Sequence, residues 1–231
     1  VYGNEKVIRP RLADAAFFFD TDKATSLAVK SDRLESVLFQ RDLGSLADKQ
    51  RRISQLAVAL SGALGADEAT VSGAGAILKA DLVSDMVGEF PELQGIAGRH
   101  YALNDGLSDG VADAIEQHYW PKFSGDQLPL TPESAALALA DRLDTLVGIF
   151  GIGQSPTGSK DPFALRRASV AVIRLLLAYA PESDIRGVIG QAASEFDSGI
   201  LSADTVDTVL HYLLERLPAH YEEVGVSVDM L

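Results

Sequence analysis

The sequence predicts an all-α fold, and three observations carry that reading. Apolar residues recur at helical spacing along nearly the whole chain. No stretch alternates with the strand period over a convincing length. With 231 residues and 47% apolar content, the chain is long and apolar enough to bury a real core.

The elements follow in order. Pro10 opens a helix that ends near Thr25, and a short mixed segment, Ser26–Gly44, includes Val37-Leu-Phe-Gln. Asp48–Leu64 is amphipathic, with Ile53, Leu56, Leu60 and Leu64 on one stripe. Gly65-Ala-Asp67 breaks it, and Glu68–Val87 reads as one or two helices weakened by Gly73 and Gly75. Helices are expected at Pro91–Leu103, Asp109–Trp120 and Pro132–Phe150, separated by the turn-forming Asn104-Asp-Gly and Phe123-Ser-Gly-Asp. Past Phe150, residues 151–161 are rich in glycine, serine and proline. Asp161 reads as an N-cap and Pro162 as a first helical residue, so a helix should run from Pro162 to about Tyr179. Glu182–Phe196 and Ala203–Leu217 complete the set, with Ser202 a cap for the latter. This divides the chain into an N-terminal helix and connecting segment (1–45), a helical core (46–150), and a glycine-rich loop with C-terminal helices packing on that core (151–231).

Composition narrows the function. No apolar run approaches the roughly 18–20 residues a membrane helix needs. Cysteine is absent, which excludes disulfides, thiolate zinc sites and cysteine nucleophiles and fits a reducing cytoplasm. The formal charge is −13 and the pI about 4.6. Such a surface repels a phosphate backbone over most of its area, so any RNA contact must be local or shared with other domains. The opening Val1-Tyr-Gly-Asn-Glu has neither an initiator Met nor a signal-peptide core, and both ends read as cuts in a longer chain.

Several residues invite a chemical reading. Gly153-Gln-Ser-Pro-Thr-Gly158 has P-loop glycine spacing, but Ser159-Lys160 reverses the required order and a helix precedes it instead of a strand. Lys160 beside a helix N-terminus remains a phosphate contact. Basic residues gather as Lys49, Arg51 and Arg52; as Lys160, Arg166 and Arg167; and as Lys6, Arg9 and Arg11. Arg166 and Arg167, just past the loop, are the foremost RNA-contact candidates; internal pairing with Asp141 or Asp144 is the plainer alternative. Among the histidines, His100 and His118 are placed to face one cavity, while His211 and His220 lie far along the chain and none shows metal-pair spacing. His118-Tyr-Trp120 reads as a base-stacking site or, more plainly, as core. Asp81 and Asp141 lie on inward faces, where a carboxylate needs Arg142, Lys79, backbone donors or a metal.

The helix order resembles the HD superfamily of metal-dependent phosphohydrolases. Leu78-Lys-Ala-Asp81 falls where that family has its His-Asp pair, Leu139-Ala-Asp-Arg-Leu143 is similar to the segment bearing its last Asp, and Lys49 stands at the first His. Lys49 and Ala80 thus replace two ligands, leaving Asp81 and Asp141, and the resemblance implies a kept scaffold with no metal and lost chemistry. Longer stretches resemble the β subunit of bacterial heterotetrameric glycine–tRNA ligase: Val37–Lys49, Lys79–Gly95, and Ala138–Gln154 continuing through Pro156–Arg167. That resemblance covers about residues 5–215. It implies an internal segment of a longer β chain, partnered by other β domains and by an α subunit that activates glycine with ATP and Mg. On this reading the segment binds or positions the tRNA acceptor arm, is itself non-catalytic and needs no cofactor. The alternatives are an active HD phosphohydrolase and a purely structural assembly module.

Overall fold

The computed structural model describes residues 2–158, 160–223 and 225, with side-chain surroundings left undescribed at 2–10, 220 and 223. Lys6, Arg9, Ser159 and His220 therefore lie outside the described side chains. The all-α expectation holds, with one small exception. Helix α1 (Tyr2–Asp22) leads to α2 (Leu27–Asp32), a 3₁₀ turn (Arg33–Ser36), and a two-stranded hairpin of β1 (Leu38–Gln40) and β2 (Gly44–Ser45). The hairpin is antiparallel, pairing Leu38 with Ser45 and Gln40 with Gly44. It is too short for strand periodicity to show in the sequence.

Pro10 lies inside α1, not at its start, and α1 stops at Asp22, three residues before the expected end. Asp22 explains the stop. Its carboxylate accepts from the amides of Asp85 (3.1 Å) and Met86 (2.9 Å) and from the Tyr101 hydroxyl (2.9 Å), and its carbonyl takes the buried Lys30 ammonium. The chain is tied down there and turns.

Helix α3 (Leu46–Leu64) starts on a capping box: Asp48 donates its amide to Ser45 Oγ and accepts from the Ser45 amide. Beyond it come α4 (Glu68–Gly75), a 3₁₀ turn (Ala80–Val83), α5 (Asp85–Glu89), a 3₁₀ turn (Pro91–Leu93), α6 (Ile96–Asn104), α7 (Asp109–Gln117) and α8 (Pro132–Gly151). The expected Glu68–Val87 stretch is thus broken into three pieces. The set closes with α9 (Leu165–Tyr179), α10 (Ile185–Ser194), α11 (Thr205–Leu214) and α12 (Leu217–Glu223).

Two caps differ from expectation. Helix α9 begins at Leu165, not Pro162, because Ala164 takes a left-handed conformation (φ 55°). Asp161 still caps the helix from further back, accepting from the amides of Leu165 (2.7 Å) and Arg166 (3.0 Å). At α11 the N-cap position is Asp204, and the Ser202 hydroxyl bonds that of Thr205.

Helix α8 is the axis of the core. Leu137, Ala138, Leu139, Ala140, Leu143, Leu146, Val147 and Ile149 are all fully buried, which marks a helix surrounded on most of its sides. Helices α3, α7, α9, α10 and α11 pack on it. Close approach at its end requires glycine: a Cβ on Gly151 would stand 2.3 Å from Leu201 Cδ2. Residues of α9–α11 share one hydrophobic cluster with those of α3–α8.

Candidate functional site

Five charged side chains meet between α3, α8 and the segment after α4. Lys49 and Arg52 are one turn apart on the face of α3 that carries Ile53 and Leu56 inward, and Asp141 and Asp144 are similarly spaced on α8. The Lys49 ammonium lies 3.0 Å from Asp141 Oδ1, 2.8 Å from Asp144 Oδ2 and 2.7 Å from Thr145 Oγ1. Arg52 Nε lies 2.5 Å from Asp144 Oδ1, while Nη1 donates to the Leu43 carbonyl at 3.0 Å.

Lys79 arrives from the other side, donating to Asp141 Oδ2 at 2.7 Å and to His118 Nε2 at 2.9 Å. Gln50 of α3 sets its position, accepting from the Lys79 amide and donating to the Ala76 carbonyl, both at 2.8 Å. Lys49, Arg52 and Lys79 are 4–5% exposed and His118 is fully buried. Paired and hydrogen-bonded, these charges are tolerable inside; unpaired they would not be.

Proton affinities follow from the pairing. Burial alone would lower Lys49, but Asp144 and Asp141 outweigh it and its pKa is raised. Lys79 is also buried, has only one carboxylate and feels the Lys49 charge, so its pKa is lowered. Asp141 is held well below the usual carboxylate range: burial opposes this, but Lys79 and Lys49 prevail. Burial and then Lys79 push His118 well below its ordinary value. Its Nδ1 stands 2.6 Å from the Ile115 carbonyl, so that nitrogen carries the proton and Nε2 accepts from Lys79.

Asp81 stands apart from these pairs. Its Oδ2 accepts from the amides of Gly95 (2.6 Å) and Gly98 (3.3 Å), and its Oδ1 has no hydrogen-bond partner. Burial raises its pKa despite those amides. Gly95 is held at φ 82°, and a Cβ there would stand 2.7 Å from the Tyr119 ring.

A cleft of about 290 Å³ opens beside the cluster. Asp141, Arg142 and Thr145 of α8, Tyr119 and Lys122 of the loop after α7, and Phe163 and Arg167 at the start of α9 are among its lining residues. The Arg142 guanidinium donates to the carbonyls of His118, Ala138 (3.1 Å), Tyr119 (2.7 Å) and Pro121 (3.2 Å). The Trp120–Pro121 peptide in this loop is cis.

A family profile described as "Glycyl-tRNA synthetase beta subunit" matches residues 1–231. The chain belongs to that family. It is similar to proteins named glycine–tRNA ligase β subunit in Chromohalobacter salexigens (50% identity over 230 residues, 100% of this chain and 33% of the relative), Pseudomonas fluorescens (48% over 228 residues, 99% and 33%) and Alteromonas mediterranea (46% over 231 residues, 100% and 33%). The chain thus spans about a third of the length of these glycine–tRNA ligase β subunits.

In this member of the glycyl-tRNA synthetase β family, the residues at the HD-like positions do not fit a metal. Asp141 has both oxygens engaged by ammonium groups, Asp81 faces backbone amides, and Ala80 is buried without a donor atom. Among the described residues, no three His, Asp or Glu side chains are placed to hold an ion together. Asp141 pairs with Lys79, as one plain reading had it, but also with Lys49, while Arg142 takes carbonyl oxygens instead of a carboxylate.

The basic groups separate. Burial corrects the first: Lys49 and Arg52 are enclosed in ion pairs and present no charge to a phosphate outside, whereas Arg51 is exposed and only loosely paired with Asp48 at 3.3 Å. Lys160, Arg166 and Arg167 are all exposed. Arg166 donates to the Gly158 carbonyl, and neither arginine pairs with Asp141 or Asp144 among the described residues. His100 and His118 do not share a cavity. His100 is exposed and packs edge-on against Phe19 at 6.2 Å, while His211 pairs with Glu215 at 3.1 Å. Sequence reasoning offered Lys79 as a partner for Asp141 but missed His118 and Asp144 as members of the same cluster. The inward placement of Lys49 was the available signal, since a buried lysine demands carboxylates.

Proposed function

We propose that this chain is a non-catalytic, tRNA-positioning segment of the β subunit of a heterotetrameric glycine–tRNA ligase in the cytoplasm. The α subunit would supply the ATP- and Mg-dependent activation of glycine, and this segment would help hold the acceptor arm toward it. The observation that carries the reading is a division of labour among cations. Lys49, Arg52 and Lys79 are consumed internally, where an HD-type hydrolase would need ligands, while Lys160, Arg166 and Arg167 remain exposed near the Asp161-capped start of α9. Asp161 already occupies the amides at that helix start, so the exposed ammonium and guanidinium groups are what favour phosphate there.

The test is charge reversal in the whole α/β enzyme. Lys160→Glu and Arg166→Glu should weaken tRNA use, flatten its salt dependence by about one unit of slope per lost phosphate contact, and leave glycine activation intact. Unchanged tRNA kinetics in both variants would refute the assignment. The charge of −13 favours a second reading, in which the segment only packs other β domains or the α subunit. Those same unchanged kinetics, with loss of tetramer on surface substitution, would support it.

A further inference from the structure

We infer that the cleft between α8, the Tyr119–Lys122 loop and α9 is a binding site for one nucleoside phosphate. It goes beyond the tRNA-positioning role; Arg167 is common to both, but Lys160 and Arg166 lie outside the lining and test that role separately. Charge is the first argument. In a chain of formal charge −13, Lys122, Arg142 and Arg167 line one cavity, and among the described residues none of their side chains forms an ion pair, although the Lys122 amide donates to Asp126 at 2.7 Å. The lining carboxylate, Asp141, has its oxygens 3.0 Å from the Lys49 ammonium and 2.7 Å from that of Lys79. Six cationic side chains, counting Arg52, stand with three carboxylates, Asp81, Asp141 and Asp144, across cluster and cleft.

Preorganisation is the second. Four backbone carbonyls fix the Arg142 guanidinium without neutralising its charge, while Arg167 is exposed and uncommitted, able to close on an anion bidentately. The third is the rest of the lining. Phe163 offers an aromatic face of the kind on which bases stack, and the Gln94 amide supplies a donor and an acceptor. Tyr119 also lines the cleft, and its hydroxyl is buried with no hydrogen-bond partner. That oxygen has no accessible surface, so it is the ring of Tyr119 that the cleft presents. At about 290 Å³ the cavity sits at the lower end of small-molecule sites, roughly 300–1,000 Å³, which suits one nucleotide and not two.

The experiment is titration of the purified chain with AMP, inorganic phosphate and a 5′-phosphorylated trinucleotide RNA. AMP should bind saturably at or below about 1 mM and more tightly than phosphate. Arg167→Ala and Lys122→Ala should each weaken it about tenfold with the melting temperature unchanged, because both side chains are exposed. Arg33→Glu, an exposed position outside the lining, should leave it unaltered. Competition tells the two sources apart: tighter binding of the trinucleotide assigns the site to an RNA strand, and tighter binding of AMP assigns it to a free nucleotide, either of which supports the site. No saturation by AMP or trinucleotide, affinity equal to that of phosphate, or indifference to Arg167→Ala would overturn it. Loss of tRNA use in Lys160→Glu bears on the positioning role alone, so the two readings fail separately.

Discussion

Asp144 touches both Lys49 and Arg52, whereas Asp141 is shared between Lys49 and Lys79, so every charge in the cluster has a partner and Arg52 has Asp144 alone. Asp144→Ala should therefore destabilise the chain by about 3–5 kcal/mol, because it strands buried cations; chemical denaturation measures this directly. Acidification probes the same residues. The His118 pKa is lower in the folded state than in the unfolded chain, at about 6.5. The unfolded chain thus takes the proton first, and stability should fall as pH drops below that value, by up to about 1.4 kcal/mol per pH unit. Asp141, held low, acts the same way further down: its contribution is present above about 3.9 and is lost as pH falls through its folded-state value. His118→Gln should flatten the upper part of that profile, and a profile unchanged by the substitution would disprove the attribution. Metal analysis of the purified chain should find no stoichiometric Mn, Fe or Ni; about one ion per chain would reverse the reading of the HD-like positions. At this scale the sequence was half legible. Lys49 falls one turn before Ile53, an inward position that calls for carboxylate partners, though in sequence, beside Arg51 and Arg52, it also reads as an RNA contact; Lys79 and His118 sit 39 positions apart and no local pattern joins them.

Helix α9 shows where element-level reading succeeds and where it slips. Asp161-Pro162 correctly announced a capped helix, yet the Asp161 carboxylate reaches the amides of Leu165 and Arg166 across a three-residue turn. The difference is a backbone conformation at Ala164 that no residue type signals, since left-handed alanine is uncommon. Asp161→Ala should cost about 1 kcal/mol, typical of a lost N-cap, measurable as a lower melting temperature. Ser45→Ala at the capping box of α3 should behave similarly. The stretch after Glu68 was harder to read: its two glycines flagged weakness, but the break into α4, a 3₁₀ turn and α5 is set by long-range anchors. Asp22 and Gln50 hold the backbone at residues 85–86 and 79, from elsewhere in the chain.

For the molecule as a whole, net charge governs encounter with RNA. The isolated chain should bind tRNA weakly or undetectably near physiological salt, because its overall field is repulsive. Tight, tRNA-specific binding by the isolated chain at that salt would contradict this. The all-α architecture was legible because burial sorts residues by helical period; the hairpin was not, because strands of three and two residues leave no periodic trace. Helix α8 is buried around most of its circumference and carries Asp141, Arg142, Asp144 and Thr145 within little more than one turn. The amide protons on its buried face should be among the last to exchange in deuterated water, with protection approaching the global unfolding free energy. The exposed face of α1, bearing Leu12 and Phe17, has no such enclosure, and its amides should exchange far sooner. The buried cluster would then share the lifetime of the native state, its ion pairs parting only when the core opens.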